Sequence, residues 1–169
     1  MLKVLVPVHG THNCELAVKH VIHQFMNHAV QEIHLLNVQA PFNGDITQFS
    51  SKKSQRDYHR EQSDKELAPF MRLLDECNLP YSVHAKVGDC AKTIVDVAHH
   101  LHCDQIVMGT TRKNALTRLV ENSVVDKVIE LTSVPVEVIA GDQMSKWERY
   151  GIPAGIAAAA AAIGFAALE

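Results

Sequence analysis

Residues 108–124, MGTTRKNALTRLVENSV, carry the side chains best suited to holding a ligand. An apolar run through Met108 stops at Gly109, a polar loop with Arg112 and Lys113 follows, and Asn122 and Ser123 precede Val124 and an amphipathic segment. Cationic side chains, a hydroxyl and the free N–H groups at a helix start are means of binding an anion. Glycine in such a loop lets backbone amides approach phosphate oxygens, and Arg112 and Asn122 each place a side chain where a phosphate loop favours glycine. A second strand end lies at His9 and Gly10.

Other reactive groups are weaker candidates. The chain has eleven histidines. His20 and His23 fall one turn apart, and His99, His100, His102 and Cys103 gather at a helix end. Neither HExxH nor CxxC occurs, and a helix C-terminus favours histidine through its dipole. These residues are therefore read as structural, with no metal assigned. Cys90, after Asp89 at a helix start, is read as a small buried residue rather than a reactive thiolate. No Ser-His-Asp order, Walker lysine or paired-carboxylate spacing appears, so no catalytic residue is assigned and the chain reads as a non-enzyme.

The elements that must position these residues alternate. Strands are predicted over residues 2–8, 32–38, 81–87, 105–108 and 134–140. Helices are predicted between them, with Asn13 as the first N-cap, a second helix over 57–77 kinked or broken at Pro69, a third with Ile94, Val95, Val97, Ala98 and Leu101 inward, and a fourth over 119–131. Residues 39–55 read as a mobile loop. Alternating strands and helices imply a five-stranded parallel sheet sandwiched by helices, an α/β fold of flavodoxin-like or Rossmann-like type. Ligands in such sheets lie outside the carboxyl ends of the strands, here beside His9, Gly10, Val38 and Gly109. The formal net charge of −3 provides no basic footprint for nucleic acid. Four cysteines without paired spacing read as reduced thiols in a cytoplasmic body.

The opening VLVPVHGT, the strand IVMGTT and the ending SVPVEVIAG resemble the universal stress protein family over residues 1–141. The resemblance implies a nucleotide signature of glycine, two residues, glycine, nine residues, glycine, then serine or threonine. Here the first glycine is Gly109, the second position is Arg112, the third is Asn122, and the hydroxyl is Ser123. The aspartate that the family uses on the ribose falls at His9, which cannot accept two hydroxyl protons as a carboxylate does. Val38, which offers backbone to adenine, is kept. The pattern is nearer to members that do not bind ATP in the usual way. No cofactor is therefore expected, with ATP or AMP as the alternative ligand held by Met108, Arg112, Lys113, Ser123 and Val124.

Composition then shifts. Residues 142–150 form a polar hinge with Lys146, Trp147, Arg149 and Tyr150, and residues 151–168 carry no charge. As a helix that segment would reach roughly 27 Å, close to the thickness of a bilayer's hydrocarbon core. Trp147 and Tyr150 suit the headgroup level, and Gly151, Gly155, Ala159 and Gly164 suit close helix contact. The division is a domain over 1–141, a hinge over 142–150 and a transmembrane or partner-docking helix over 151–168. The leading expectation is a non-enzymatic regulatory or accessory protein, its cytoplasmic domain tethered to the inner membrane on an integral membrane complex such as a transporter, channel or respiratory enzyme. The alternatives are an adenine-nucleotide-binding stress sensor and a soluble dimer whose tail docks on a soluble partner. The fifth strand is expected at a sheet edge, where a second copy would pair.

Overall fold

The computed structural model describes residues 2–42, 51–111 and 124–141. They form nine elements in strict alternation: β1 (Leu2–Pro7), α1 (His12–Met26), β2 (Val30–Gln39), α2 (Lys52–Glu76), β3 (Tyr81–Val87), α3 (Cys90–His100), β4 (Gln105–Thr111), α4 (Val124–Leu131) and β5 (Val136–Gly141). The sheet order is β3-β2-β1-β4-β5, and every pairing is parallel. This is the expected α/β sandwich, with β5 at one edge and β3 at the other.

The central strand is apolar on both faces because helices cover both. Val4, Val6 and Val8 pack with Val18, Val21, Leu67 and Leu74 beneath α1 and α2. Leu5 and Leu36 pack with Ile94, Ala98 and Val128 beneath α3 and α4. Burying each such side chain stabilises the fold by about 1.5–3 kcal/mol.

Several boundaries differ from expectation. The first helix starts at His12 with Thr11 as N-cap, so Asn13 lies inside the first turn. Pro69 neither breaks nor ends α2, which runs continuously for 25 residues. The ring is exposed, while Leu67, Phe70 and Leu74 bury the opposite face and hold the helix through it. Ser51 caps this helix by accepting from the Ser54 N–H at 3.1 Å. The helix thus starts ahead of the expected residue 57 and shortens the predicted loop, whose residues 43–50 lie outside the described set. β4 does not stop at Gly109. Its pairing continues through Gly109↔Ile139, Thr110↔Ala140 and Thr111↔Gly141, because β5 extends alongside it. The described part of the fourth helix begins at Val124, after the undescribed residues 112–123.

Three helices close on a left-handed residue other than glycine: His28 (φ 59°), Asn78 (φ 52°) and His102 (φ 53°). After each, a backbone N–H returns to a carbonyl five residues back, Ala29 to Gln24 at 2.9 Å, Leu79 to Leu74 at 3.1 Å and Cys103 to Ala98 at 2.9 Å. This is the Schellman closure, and histidine and asparagine tolerate its conformation better than most side chains do. His102 therefore has a backbone role.

No helix among the described residues is long and apolar enough to cross a membrane. Residues 142–169, including Trp147, Tyr150, Gly151, Gly155, Ala159 and Gly164, lie outside that set.

Candidate functional site

Strand order reverses between β1 and β4, so their carboxyl ends diverge from a common point. A crevice opens there. Pro7, Val8 and His9 come from the end of β1, Leu36 and Val38 from β2, and Met108 and Gly109 from β4. Cys14 of α1, Cys90 and Ile94 of α3, and Val124 and Val125 of α4 complete the wall. Of the residues singled out from sequence, His9, Val38, Met108, Gly109 and Val124 meet here. Gly10 lies just outside, in the turn that follows. Arg112, Lys113, Asn122 and Ser123 fall outside the described residues.

The turn after β1 is closely tied. The Val8 N–H donates to the Leu36 carbonyl at 2.8 Å. The Thr11 N–H turns back to the His9 carbonyl. Cys14 Sγ lies 3.5 Å from the His9 nitrogen and 3.3 Å from Thr11 Oγ1. These contacts fold residues 9–11 into the first turn of α1 and leave the His9 side chain exposed.

The two glycines differ in what they do. A Cβ on Gly10 would meet nothing nearer than Glu66 Cγ at 3.9 Å, an ordinary contact. A Cβ on Gly109 would fall onto the Asn13 carbonyl and within 2.9 Å of the Cys14 nitrogen. Gly109 therefore lets the backbone of α1 lie directly against β4. That packing requirement accounts for the glycine on its own, ahead of any ligand. Gly141 makes room for the Asn13 side chain in the same place.

Beneath the turn, Asn37 is completely buried in an otherwise apolar strand. Its Nδ2 donates to the Val8 carbonyl at 2.9 Å and to Glu66 Oε2 at 2.7 Å. Its Oδ1 accepts from Ser63 Oγ and from Gln39 Nε2, both at 2.9 Å. All four hydrogen-bonding positions of the amide are used, which is how a buried polar group avoids its desolvation penalty. Sequence reasoning missed Asn37. Its signal was a lone polar residue in an apolar strand.

The crevice chemistry is sparse. His9, Cys14 and Cys90 are its ionisable groups among the described residues. Burial pushes the Cys90 thiol up, and the neighbouring Asp89 and Cys14 add to the shift. It is a poor thiolate at neutral pH, in keeping with the structural reading. Burial likewise raises Cys103, to about 11.

The histidine groups also separate. His20 lies 2.8 Å from Glu137, whereas His23 faces Asn27 at 3.2 Å. His99 and His100 are exposed. No three metal-ligating side chains converge among the described residues.

Residues 1–140 match the family model for the universal stress protein family. The chain belongs to that family. A universal stress protein of Methanocaldococcus jannaschii is 28% identical over 139 residues, covering 81% of each chain. A universal stress protein family protein from Arabidopsis thaliana, solved with AMP bound, superposes with a TM-score of 0.58 at 18% identity, covering 83% of this chain and 92% of that one. A universal stress protein in complex with cAMP superposes at 0.56 with 14% identity, covering 82% and 96%. At these identities the structural likenesses speak for the fold.

Proposed function

We propose that this protein is a non-enzymatic regulatory member of the universal stress protein family, whose C-terminal segment docks it on an integral membrane complex. The observation that carries the non-enzymatic part is the crevice lining. Pro7, Val8, Leu36, Val38, Ile94, Met108, Val124 and Val125 surround one exposed imidazole and two thiols, Cys14 and Cys90. Nothing among these residues pairs an acid with a base or holds an activated nucleophile. The membrane part rests on residues 142–168 as a sequence. An aromatic and basic hinge leads into an uncharged segment with small residues at four-residue spacing. The homodimer reading rests on β5, an edge strand that exposes Val138.

The AMP- and cAMP-bearing relatives favour a second reading, an adenine-nucleotide sensor. In that reading an adenine lies on the apolar wall at Leu36, Val38 and Met108, and Arg112, Lys113 and Ser123 hold phosphate by side chain. The side chains of Arg112 and Asn122 at positions that favour glycine, and His9 in place of a carboxylate, weigh against this second reading. Calorimetric titration with ATP and Mg²⁺ separates the readings. Regulation through the partner alone predicts binding weaker than about 10 μM, equivalent to about 7 kcal/mol. Tighter binding would install the sensor reading in its place.

A further inference from the structure

A second cavity opens at the carboxyl ends of β2 and β3, on the far side of β2 from the crevice. Pro41, Phe42 and Val87 form an apolar side, and Lys52, Arg56 and His59 form a basic one. Lys52 and Arg56 lie four residues apart and so share one face of α2. The Arg56 side chain is steadied by its Nε–H, which donates to the Lys52 carbonyl at 3.2 Å. The His59 ring lies 4.4 Å from the Phe42 ring at 37°. Its Nδ1 is buried and has no hydrogen-bond partner among the described residues. A buried, unpartnered ring nitrogen is costly to the fold, and as a lining group the ring reports a visitor to the cavity.

Charge sets the sign of that visitor. The first turns of α2 carry Lys52, Lys53, Arg56 and Arg60 against Asp57 and Glu61. Arg60 approaches Asp64 at 3.9 Å. Among the described residues Lys52, Lys53 and Arg56 have no carboxylate partner. Cations at a helix N-terminus oppose the positive end of its dipole, an arrangement that an anion would reverse. Val87 leaves half of its surface, 51%, open beside them.

We propose that this cavity binds a phosphate-bearing ligand at a site separate from the β1–β4 crevice. The phosphate sits on Lys52 and Arg56, and the ligand's apolar body lies over Phe42 and Val87. Ligands at the carboxyl edge of a parallel sheet are the general pattern, and this cavity occupies a second position on that edge. A free phosphate ester and a phospholipid headgroup share the required chemistry.

The test uses the full-length chain in a neutral detergent and reads the His59 imidazole by NMR, assigned through His59→Gln. The probes are inorganic phosphate, phenyl phosphate and a short-chain phosphatidylglycerol. A saturable shift is expected, with phenyl phosphate several-fold tighter than inorganic phosphate through its apolar contact. Lys52→Glu with Arg56→Glu should weaken binding at least about tenfold. Lys53→Glu with Arg60→Glu, the same charge change at two positions off the cavity wall, should leave it within about twofold. Saturation by phosphatidylglycerol well below phenyl phosphate concentrations identifies a headgroup as the ligand, and the opposite order identifies a soluble ester. No shift with any probe overturns the site. So does equal weakening by Lys53→Glu with Arg60→Glu, which would mark diffuse charge attraction. Circular dichroism of each variant separates lost binding from lost fold.

Discussion

Gly109 is the residue at which ligand chemistry and packing have to be told apart. By position it matches the first glycine of the nucleotide signature that the resemblance implies, but the space its missing side chain leaves is filled by the Asn13 carbonyl and the Cys14 nitrogen. Backbone cannot rotate away as a side chain can. Gly109→Ala should therefore destabilise the ligand-free protein by about 1–3 kcal/mol, the usual cost of forcing a methyl into a packed contact. Urea unfolding measures this directly, and an unchanged midpoint would return the glycine to a purely ligand-binding role. Gly10 has no such constraint and is the natural control. Position in the sequence pointed to the crevice that His9, Val38, Met108, Gly109 and Val124 line, and put Gly10 there as well, which lies outside it. It could not show why Gly109 is glycine, because the atoms that require it belong to a helix some ninety residues earlier.

At the scale of elements, periodicity identified every strand and helix among the described residues, and local breaker rules misjudged two ends. Pro69 predicts a kink or break because proline removes a helix donor and crowds the preceding turn, and the break does not occur. Burial of Leu67, Phe70 and Leu74 outweighs that locally, and such tertiary support is invisible in a propensity. The cost is still carried. Pro69→Ala restores a hydrogen bond at an exposed position and should stabilise the protein by about 1–3 kcal/mol, read from its thermal or urea midpoint. Gly109 likewise predicts a strand end, whereas the neighbouring β5 continues the pairing past it.

The β2–β3 pair carries a pH dependence of its own. His34 is buried, its Nδ1 is 3.0 Å from His84 Nε2, and its Nε2 is 2.9 Å from Glu32. Glu32 in turn meets Lys3 at 3.4 Å. Burial holds His84 below the usual histidine range, with His34 and Lys86 adding to the shift. A histidine depressed in the folded state leaves the unfolded chain binding more protons just below about pH 6.5. Stability is then complete above that pH, falls as pH drops through the window down to the folded value, and levels off below it. Urea midpoints measured across this range should show the decline, and His84→Gln should flatten it. A decline of the same size in that variant would place the titrating group elsewhere.

For the whole molecule, the described residues form a five-stranded parallel sheet with helices on both faces, and the family match covers residues 1–140. Residues 151–168 lie beyond that match, and the proposed function assigns them to attachment. As a helix, the segment has the length of one crossing, but alanine contributes little to partition, and Ile152, Ile156, Ile163, Phe165 and Leu168 are few. Association with a neighbouring helix must supply the remainder, closest where Gly155 and Gly164 allow backbone approach. In such a helix Pro153 would fall in the first turn, where a missing donor costs nothing. Full-length protein should therefore sediment with membranes and resist carbonate extraction, while a chain ending at Gly141 should stay in the supernatant. Gly155→Leu or Gly164→Leu should release the protein from its partner with the unfolding midpoint of the body unchanged, since both positions follow residues 1–140 that match the family. Recovery of the full-length chain in the soluble fraction, unaltered by removing the tail, would leave the segment to a soluble partner instead. That outcome would also shift the regulatory role from a membrane complex to a cytosolic one.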